Sequence, residues 1–470
     1  MGYGDFVATA VSLVLSWGNI SVDLSGRGLS LRGGEMSARV LRKALALVMV
    51  VSLAGCAGGD GLADIGQDRN SATGTLSPGK ATVQIVNRIA FVSPEGDVFT
   101  IRPDGSSLLK LTGGVQMVSG STGAILAQTL GSDSYYTWPT WSPDGAKLAV
   151  SRVRLSGEQP QISVQVIDTD TGRSSTFFEN VVPGMVGQGA PHYLYWAPDG
   201  RSLAILATTP DGLALVVGDV HGGAAAKVVQ TGAPLYFQWS SDAESMVVHV
   251  GSEMKHLGTE ARVLATDAVG FRAPALSRDG IQVAYTRGTE GGATLFIGTT
   301  DGSRPERRLL DLGAISAFLW SPDGRELAVA DQQRAGTPVF QRLRAVSLDG
   351  GEVRAIAEEA IVAFFWSPSG ETIAWLGLKP EERMFELAVA PRAGAPALRL
   401  FRFQPSGDSF TMLSFFDQYA YSHSPWSPDG THLVVVGTPG PTGSRRNGQT
   451  PTGDRVYVVD ATGAIPPKEI

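Results

Sequence analysis

The chain has 470 residues, 43% hydrophobic and 18% charged, with 58 glycines, 27 prolines, one cysteine and a formal net charge of −7 at pH 7. The acidic balance excludes a nucleic-acid partner, whose phosphates require a basic face, and a lone cysteine excludes an intramolecular disulfide, so a packed core must carry the stability. Abundant glycine and proline with few charges predict many turns and short strands.

In chain order, residues 1–35 place Asp5, Asp23 and Glu35 ahead of the first cluster of positive charge, contrary to an export signal. They are expected to be an upstream mis-start or a disordered segment, with Met36 as the true start. Residues 36–55 carry Arg39, Arg42 and Lys43, then an apolar run from Ala44 to Ala54 too short to span a bilayer, then small residues before Cys56. That is the layout of a signal peptide. The competing reading, a structural cysteine behind a core helix, lacks the polar face that an amphipathic helix needs. The tetrapeptide Leu53-Ala-Gly-Cys56 resembles the lipobox of bacterial lipoproteins. The resemblance implies that Cys56 becomes the acylated first residue of the mature chain, exported and lipid-anchored to a bacterial membrane. Cleavage there removes Arg27, Arg32, Arg39, Arg42 and Lys43 against Asp5, Asp23 and Glu35, so the mature chain is more acidic than its precursor.

Residues 56–80 are rich in Gly, Ala, Ser and Asp without periodicity and read as a flexible tether. Within and just beyond it, Gly74 to Ala81 approaches a phosphate-binding loop, but Ala81 stands where Ser or Thr must hold the metal and no strand precedes it. No nucleotide site is expected.

From residue 87 onward the chain repeats itself. Trp141-Ser-Pro-Asp-Gly145, Trp320-Ser-Pro-Asp-Gly324 and Trp426-Ser-Pro-Asp-Gly430 are identical. Trp196-Ala-Pro-Asp-Gly200 and Trp366-Ser-Pro-Ser-Gly370 differ by one residue, and Trp239 to Ala243 and Leu276 to Gly280 are worn copies. The spacing is near the period of about 40 to 50 residues of propeller blades. Each motif is a hairpin turn in which Pro fixes φ, Asp bonds the local backbone and Gly takes the left-handed conformation. A short apolar strand such as Ser316 to Trp320 precedes it. An alternating strand such as His432 to Val436 follows, then a third ending at another Asp/Gly turn and a weaker fourth.

Four antiparallel strands per unit, repeated radially, predict an all-β fold, a β-propeller over residues 81–470. The repeat resembles the TolB-type, WD-like propeller repeat of bacterial exported proteins, over about 87–470, and residues 88–112 match its last three strands. The Gly-His and Trp-Asp dipeptides of eukaryotic WD repeats are missing, so the partners of that family are not implied. One unit at 87–112 and seven begun by motifs suggest eight blades, with seven as the alternative, and Ala81 to Val86 is a candidate strand for closing the ring.

A residue that recurs once per blade holds the blade together, so the repeated Trp and Asp are assigned to structure. Strand parity puts the tight motif turns on one face and the long segments around 113–137, 179–193, 402–424 and 437–454 on the other. Long loops on a rigid scaffold are where function concentrates. Their aromatic and histidine residues, Tyr135, Tyr136, His192, Tyr193, Tyr195, Tyr419, Tyr421 and His423, are the candidate binding residues, since large rings give contact area at low entropy cost. Catalytic motifs are absent, the six histidines show no ligand spacing, and neither cofactor nor metal is implied. The expectation is a non-catalytic scaffold that binds an envelope protein or glycan through the long-loop face. The alternative, drawn from similar propellers, is a polysaccharide lyase or hydrolase acting in the central channel. A channel mouth with His192, His423 and Asp133 or Asp417 would favour the enzyme; a mouth of Tyr, Phe and Gly would favour the scaffold.

Overall fold

The structure, a computed structural model, describes residues 87–113, 116–117, 133–155, 159–186, 190–269, 273–289, 292–313, 315–333, 339–406, 412–413, 415–440 and 454–470. The chain divides into Met1–Thr73 and Gly74–Ile470, and only the second unit contains described residues. The expected signal peptide, Cys56, the expected tether and the candidate closing strand at 81–86 lie outside them.

The motif turns form as their composition dictates. In the turn after Trp141, Gly145 takes φ 69° and its N–H donates to the Ser142 carbonyl at 2.8 Å. The Asp144 carboxylate accepts from the Ser142 hydroxyl at 2.6 Å and from the Ala146 N–H at 3.0 Å. The turn after Trp320 repeats this with Gly324 at φ 72° and the Asp323 carboxylate on Ser321 and Arg325. An L side chain at the glycine position would be strained, which explains why Gly recurs there.

These turns join strands into antiparallel sheets whose order follows the chain. The first sheet holds β1 (Ile89–Val92), β2 (Val98–Ile101), β3 (Leu109–Lys110) and β4 (Gln116–Met117). The second holds β5 (Ser134–Trp141), β6 (Lys147–Arg154), β7 (Gln161–Asp168) and β8 (Ser174–Glu179). The third holds β9 (Tyr193–Trp196), β10 (Ser202–Thr209), β11 (Gly212–Asp219) and β12 (Lys227–Thr231), and the fourth β13 (Leu235–Trp239), β14 (Met246–Val250), β15 (Glu253–Leu257) and β16 (Arg262–Ala265). The fifth is β17 (Ala275–Leu276), β18 (Gln282–Thr289), β19 (Gly292–Thr299) and β20 (Arg307–Leu312); the sixth is β21 (Ser316–Trp320), β22 (Glu326–Asp331), β23 (Arg342–Ser347) and β24 (Val353–Ala357).

The seventh sheet has seven strands: β25 (Ile361–Trp366), β26 (Thr372–Lys379), β27 (Met384–Pro391), β28 (Leu398–Pro405), β29 (His432–Pro439), β30 (Arg455–Asp460) and β31 (Lys468–Glu469). It contains two repeat units, joined where Phe403 to Pro405 pair with Gly437 to Pro439. The first strand of the last unit shrinks to a single bridge between Trp426 and Leu433. Among the described residues, the unit at 87–112 and the seven motif-bearing units are thus distributed over seven sheets of a β-propeller. Gly96, in the β1–β2 turn, accepts from the Tyr136 N–H near the start of β5 at 2.7 Å, so that turn lies at the end opposite the motif turns. β1 and β2 therefore align with the second and third strands of the other units, as the match of residues 88–112 implies.

First strands such as β13 and β21 are buried at every residue, while fourth strands such as β12 are largely exposed. The gradient reflects apolar residues on both faces of the inner strands, which pack between neighbouring sheets. Five of the repeated tryptophans bolt their repeat unit to the one before it. The indole N–H of Trp196 donates to the Thr140 carbonyl, that of Trp239 to Tyr195, of Trp320 to Ala275, of Trp366 to Leu319 and of Trp426 to Phe365, at 2.8–3.3 Å. In each case the acceptor lies one residue before the equivalent motif position of the preceding unit. The first described sheet and the last described residues meet as well. Ile470 packs against Phe99, Ile101 and Leu108, and the Lys468 ammonium donates to the Asp104 carbonyl at 2.7 Å.

Candidate functional site

The segment from Met412 to Ser424 belongs to no repeat. Its centre is a single turn of helix, α1 (Phe416–Tyr419), all four residues of which are buried. Phe416 is seated among Phe340, Phe364 and Phe365, with ring centroids 4.9–6.0 Å away. The Asp417 carboxylate accepts from the Ala273 N–H at 3.0 Å, just ahead of β17. The Gln418 amide pairs with the backbone of Phe237 in β13, its Oε1 accepting at 3.3 Å and its Nε2 donating at 3.0 Å. The Gln418 carbonyl accepts from the Tyr193 hydroxyl of β9 at 2.6 Å. Tyr419 stacks on Trp138 of β5 and meets Tyr193 edge-on. The Tyr421 hydroxyl lies against the Trp320 backbone of β21 and the Gln238 side chain. One short segment thus touches the first strands of the second, third, fourth, sixth and seventh sheets and the entry to the fifth. That is possible only where those strands converge, so the segment plugs the axis of the propeller.

This placement corrects the expectation that the long-loop aromatics form an exposed recognition surface. Tyr193 and Tyr419 are buried and Tyr195 is half-buried against Tyr193 and Phe237. Tyr135 and Tyr136 are half-buried residues of β5, paired with Val153 and Arg152, rather than loop residues. His423 is half-buried inside the plug, with Nε2 3.1 Å from the Thr140 hydroxyl and Nδ1 2.9 Å from that of Ser422. Of the eight candidates Tyr421 alone is exposed, at 39%, beside Phe415 of the same segment at 40%. The physical reason is that inserting so many apolar rings recovers more free energy from burial than leaving them in a solvated loop.

His192 is brought to none of these residues. Its Nδ1 lies 2.9 Å from Ser151 Oγ and its Nε2 2.7 Å from Asn180 Oδ1. The order nucleophile, base, orienting group is that of a catalytic triad. Yet Ser151 and His192 are both fully buried, leaving no room for a substrate, and the network clamps β6 to the entry of β9. Burial lowers the His192 imidazole to about 3 and His423 to about 4, and raises the phenols of Tyr193, Tyr419 and Tyr421. All are neutral at physiological pH, and none is poised as an acid or base. Among the described residues no cluster of three His, Cys, Asp or Glu could hold a metal, and no helix is long and apolar enough to cross a membrane.

The anchors that sequence reading missed are Gln418, Asn180 and Trp138. The signal available was the dense aromatic run Phe415 to Tyr421, whose apolar weight exceeds what a solvated loop carries. At the motif-turn mouth the plug borders a crevice of about 230 Å³, lined by Leu319, Pro322, Phe365, Trp366, Pro368 and Tyr421 among others.

No family model matches the chain, and no curated protein matches it. Among solved structures, a prolyl endopeptidase aligns with TM-score 0.47 and 13% identity over 72% of this chain, which spans 50% of that enzyme's length. An oligogalacturonate lyase from Vibrio parahaemolyticus aligns with TM-score 0.44 and 13% identity, over 65% of this chain and 83% of that one. TolB from Acinetobacter baumannii aligns with TM-score 0.35 and 14% identity, over 72% and 80%. At these identities the likeness is one of fold, and chemistry must be argued from this chain's own site.

Proposed function

We propose that this chain is an exported lipoprotein, anchored to a bacterial membrane through Cys56, whose propeller is a non-catalytic scaffold for binding an envelope protein. The observation that carries the reading is the plug. The axis where a channel enzyme of the alternative kind would hold its substrate is occupied by the segment from Met412 to Ser424, in which Tyr419 is buried and the half-buried His423 is hydrogen-bonded to Thr140 and Ser422 and neutral. A mouth of Tyr421, Phe365 and Trp366 further favours binding over acid–base chemistry.

The test is capture from solubilised envelopes by the processed, full-length protein, with the Cys56→Ser precursor as a comparison. The expected results are one saturable protein partner, and an unprocessed, unacylated Cys56→Ser precursor by mass spectrometry. Release of unsaturated uronic-acid products from pectic polysaccharide, or an intact chain carrying an unmodified Cys56, would overturn the reading.

A further inference from the structure

We propose that the crevice at the motif-turn mouth is the docking point for a partner segment that inserts one large apolar side chain flanked by lysine or arginine. This rests on the scaffold reading and gives it a face, the one opposite to the long loops. The aromatic residues that made the long-loop side attractive are taken up by β5, β9 and the plug, whereas at the motif-turn side an apolar opening remains.

Its walls come from three sources. Pro322 and Pro368 are the second residues of neighbouring motif turns, Phe365 and Trp366 close β25, and Tyr421 is the last aromatic of the plug. Tyr421 keeps its hydroxyl turned inward toward Trp320 and Gln238, so its ring is left as wall. Pro368, Tyr421 and Ser424 are exposed, so the crevice is open to solvent. At about 230 Å³ it falls below the roughly 300–1,000 Å³ of small-molecule sites. That size suits a single anchoring side chain of the kind that dominates protein interfaces. The Ser367 hydroxyl is bonded to the Thr372 N–H, and the Ser424 hydroxyl accepts from the Trp426 N–H, so the walls offer little polar reading.

Charge sets the flanks of the anchor. The seven motif turns display Asp144, Asp199, Asp242, Asp279, Asp323 and Asp429, with Glu244 and Glu371, against Arg201, Arg278 and Arg325. Arg201 is engaged by Asp219, and Arg392 from a neighbouring turn offsets Asp323. At the crevice itself Ser369 stands in place of the motif Asp and Arg392 neutralises Asp323, but the motif-turn end as a whole carries more carboxylates than cations, an excess that steers cationic segments toward the apolar opening and repels acidic ones.

The test titrates full-length protein with three fluorescent peptides: Lys-Lys-Phe-Lys-Lys, Lys-Lys-Ser-Lys-Lys and Glu-Glu-Phe-Glu-Glu. Only the first is expected to bind, weakening as salt rises, and a photoreactive phenylalanine in its centre is expected to cross-link to the Pro368, Tyr421 and Ser424 region. Ser424→Trp, which fills an exposed corner of the crevice, should weaken binding at least tenfold. Glu371→Lys, remote from the core, should weaken it several-fold, and melting curves verify that both variants fold. Equal binding of the serine peptide, or cross-links scattered over the turns, would overturn the proposal. Envelope capture separates it from the reading beneath it. If Ser424→Trp captures the wild-type partner undiminished, the crevice proposal falls and the scaffold stands. If wild-type protein captures nothing, the scaffold reading itself falls.

Discussion

The motif turns and the central plug are built from similar residue types, yet they obey different logics. In its full form a motif turn is one local solution: Ser, Asp and Gly satisfy one another within five residues, and ahead of five of the turns a Trp reaches back to the preceding unit. The plug occurs once, and most of its side-chain hydrogen bonds reach residues far away in sequence, as with Gln418 and Phe237 or Asp417 and Ala273. Repetition builds the wall of the ring; a unique segment decides what occupies its axis. Self-similar residues therefore report architecture, and the irregular stretch reports how the interior is used.

The sharpest way to break the comparison is to replace residues 412–424 with a Gly/Ser linker. If the plug only fills space, the ring survives; if it staples six sheets, the linker variant should lose its cooperative thermal transition or melt far below wild type. Next in size, Trp320→Ala removes a side chain that is 4% exposed and leaves the Ala275 carbonyl without its indole donor. A loss of about 3–5 kcal/mol is expected in denaturant unfolding. An unchanged midpoint would show that inter-sheet bolts are dispensable. Gln418→Ala strips the amide that pairs with both backbone groups of Phe237, and a loss of about 1–3 kcal/mol is expected. If Gln418→Ala costs more than Trp320→Ala, the axis outweighs the wall and the ranking inverts.

The smallest effect is in pH. His192 is neutral in the fold because burial lowers it to about 3, whereas an unfolded histidine titrates near 6.5. The unfolded chain therefore takes up protons first as pH falls, so stability present above about 6.5 declines steadily toward about 3. By pH 5.5 the decline from this residue should be about 1.4 kcal/mol. Unfolding measured for wild type and His192→Gln between pH 7.5 and 5.5 should show a flatter profile in the variant. Parallel profiles would mean that His192 is already solvated.

Much of the wall was legible in the sequence and little of the site was. The motif at 141–145 and its copies announce turn, strand boundaries and repeat length because Pro, Asp and Gly act on neighbours a few residues away. The candidate residues fared otherwise. Tyr193 and Tyr419 were read as loop aromatics available to a partner, but they pack on each other 5.0 Å apart despite the long stretch of chain between them. Tyr135 and Tyr136 sit in a strand because the run Ser134 to Trp141 pairs with β6 through an irregular register, which periodicity alone does not reveal. His192 is a buried clamp on account of Ser151 and Asn180, residues with no sequence signal of their own.

By itself, then, the sequence determined that this is an all-β propeller of four-stranded antiparallel units, because turn chemistry and strand alternation are local and repeat at a fixed period. It also determined that the repeated tryptophans are structural. Only the tertiary structure decided that the segment around Phe416 to Tyr419 enters the axis and that two units fuse into one seven-stranded sheet. Those outcomes depend on where first strands from distant units converge. Burial of an aromatic segment is favourable only once that convergence has built a cavity to receive it, and no window of sequence contains the cavity.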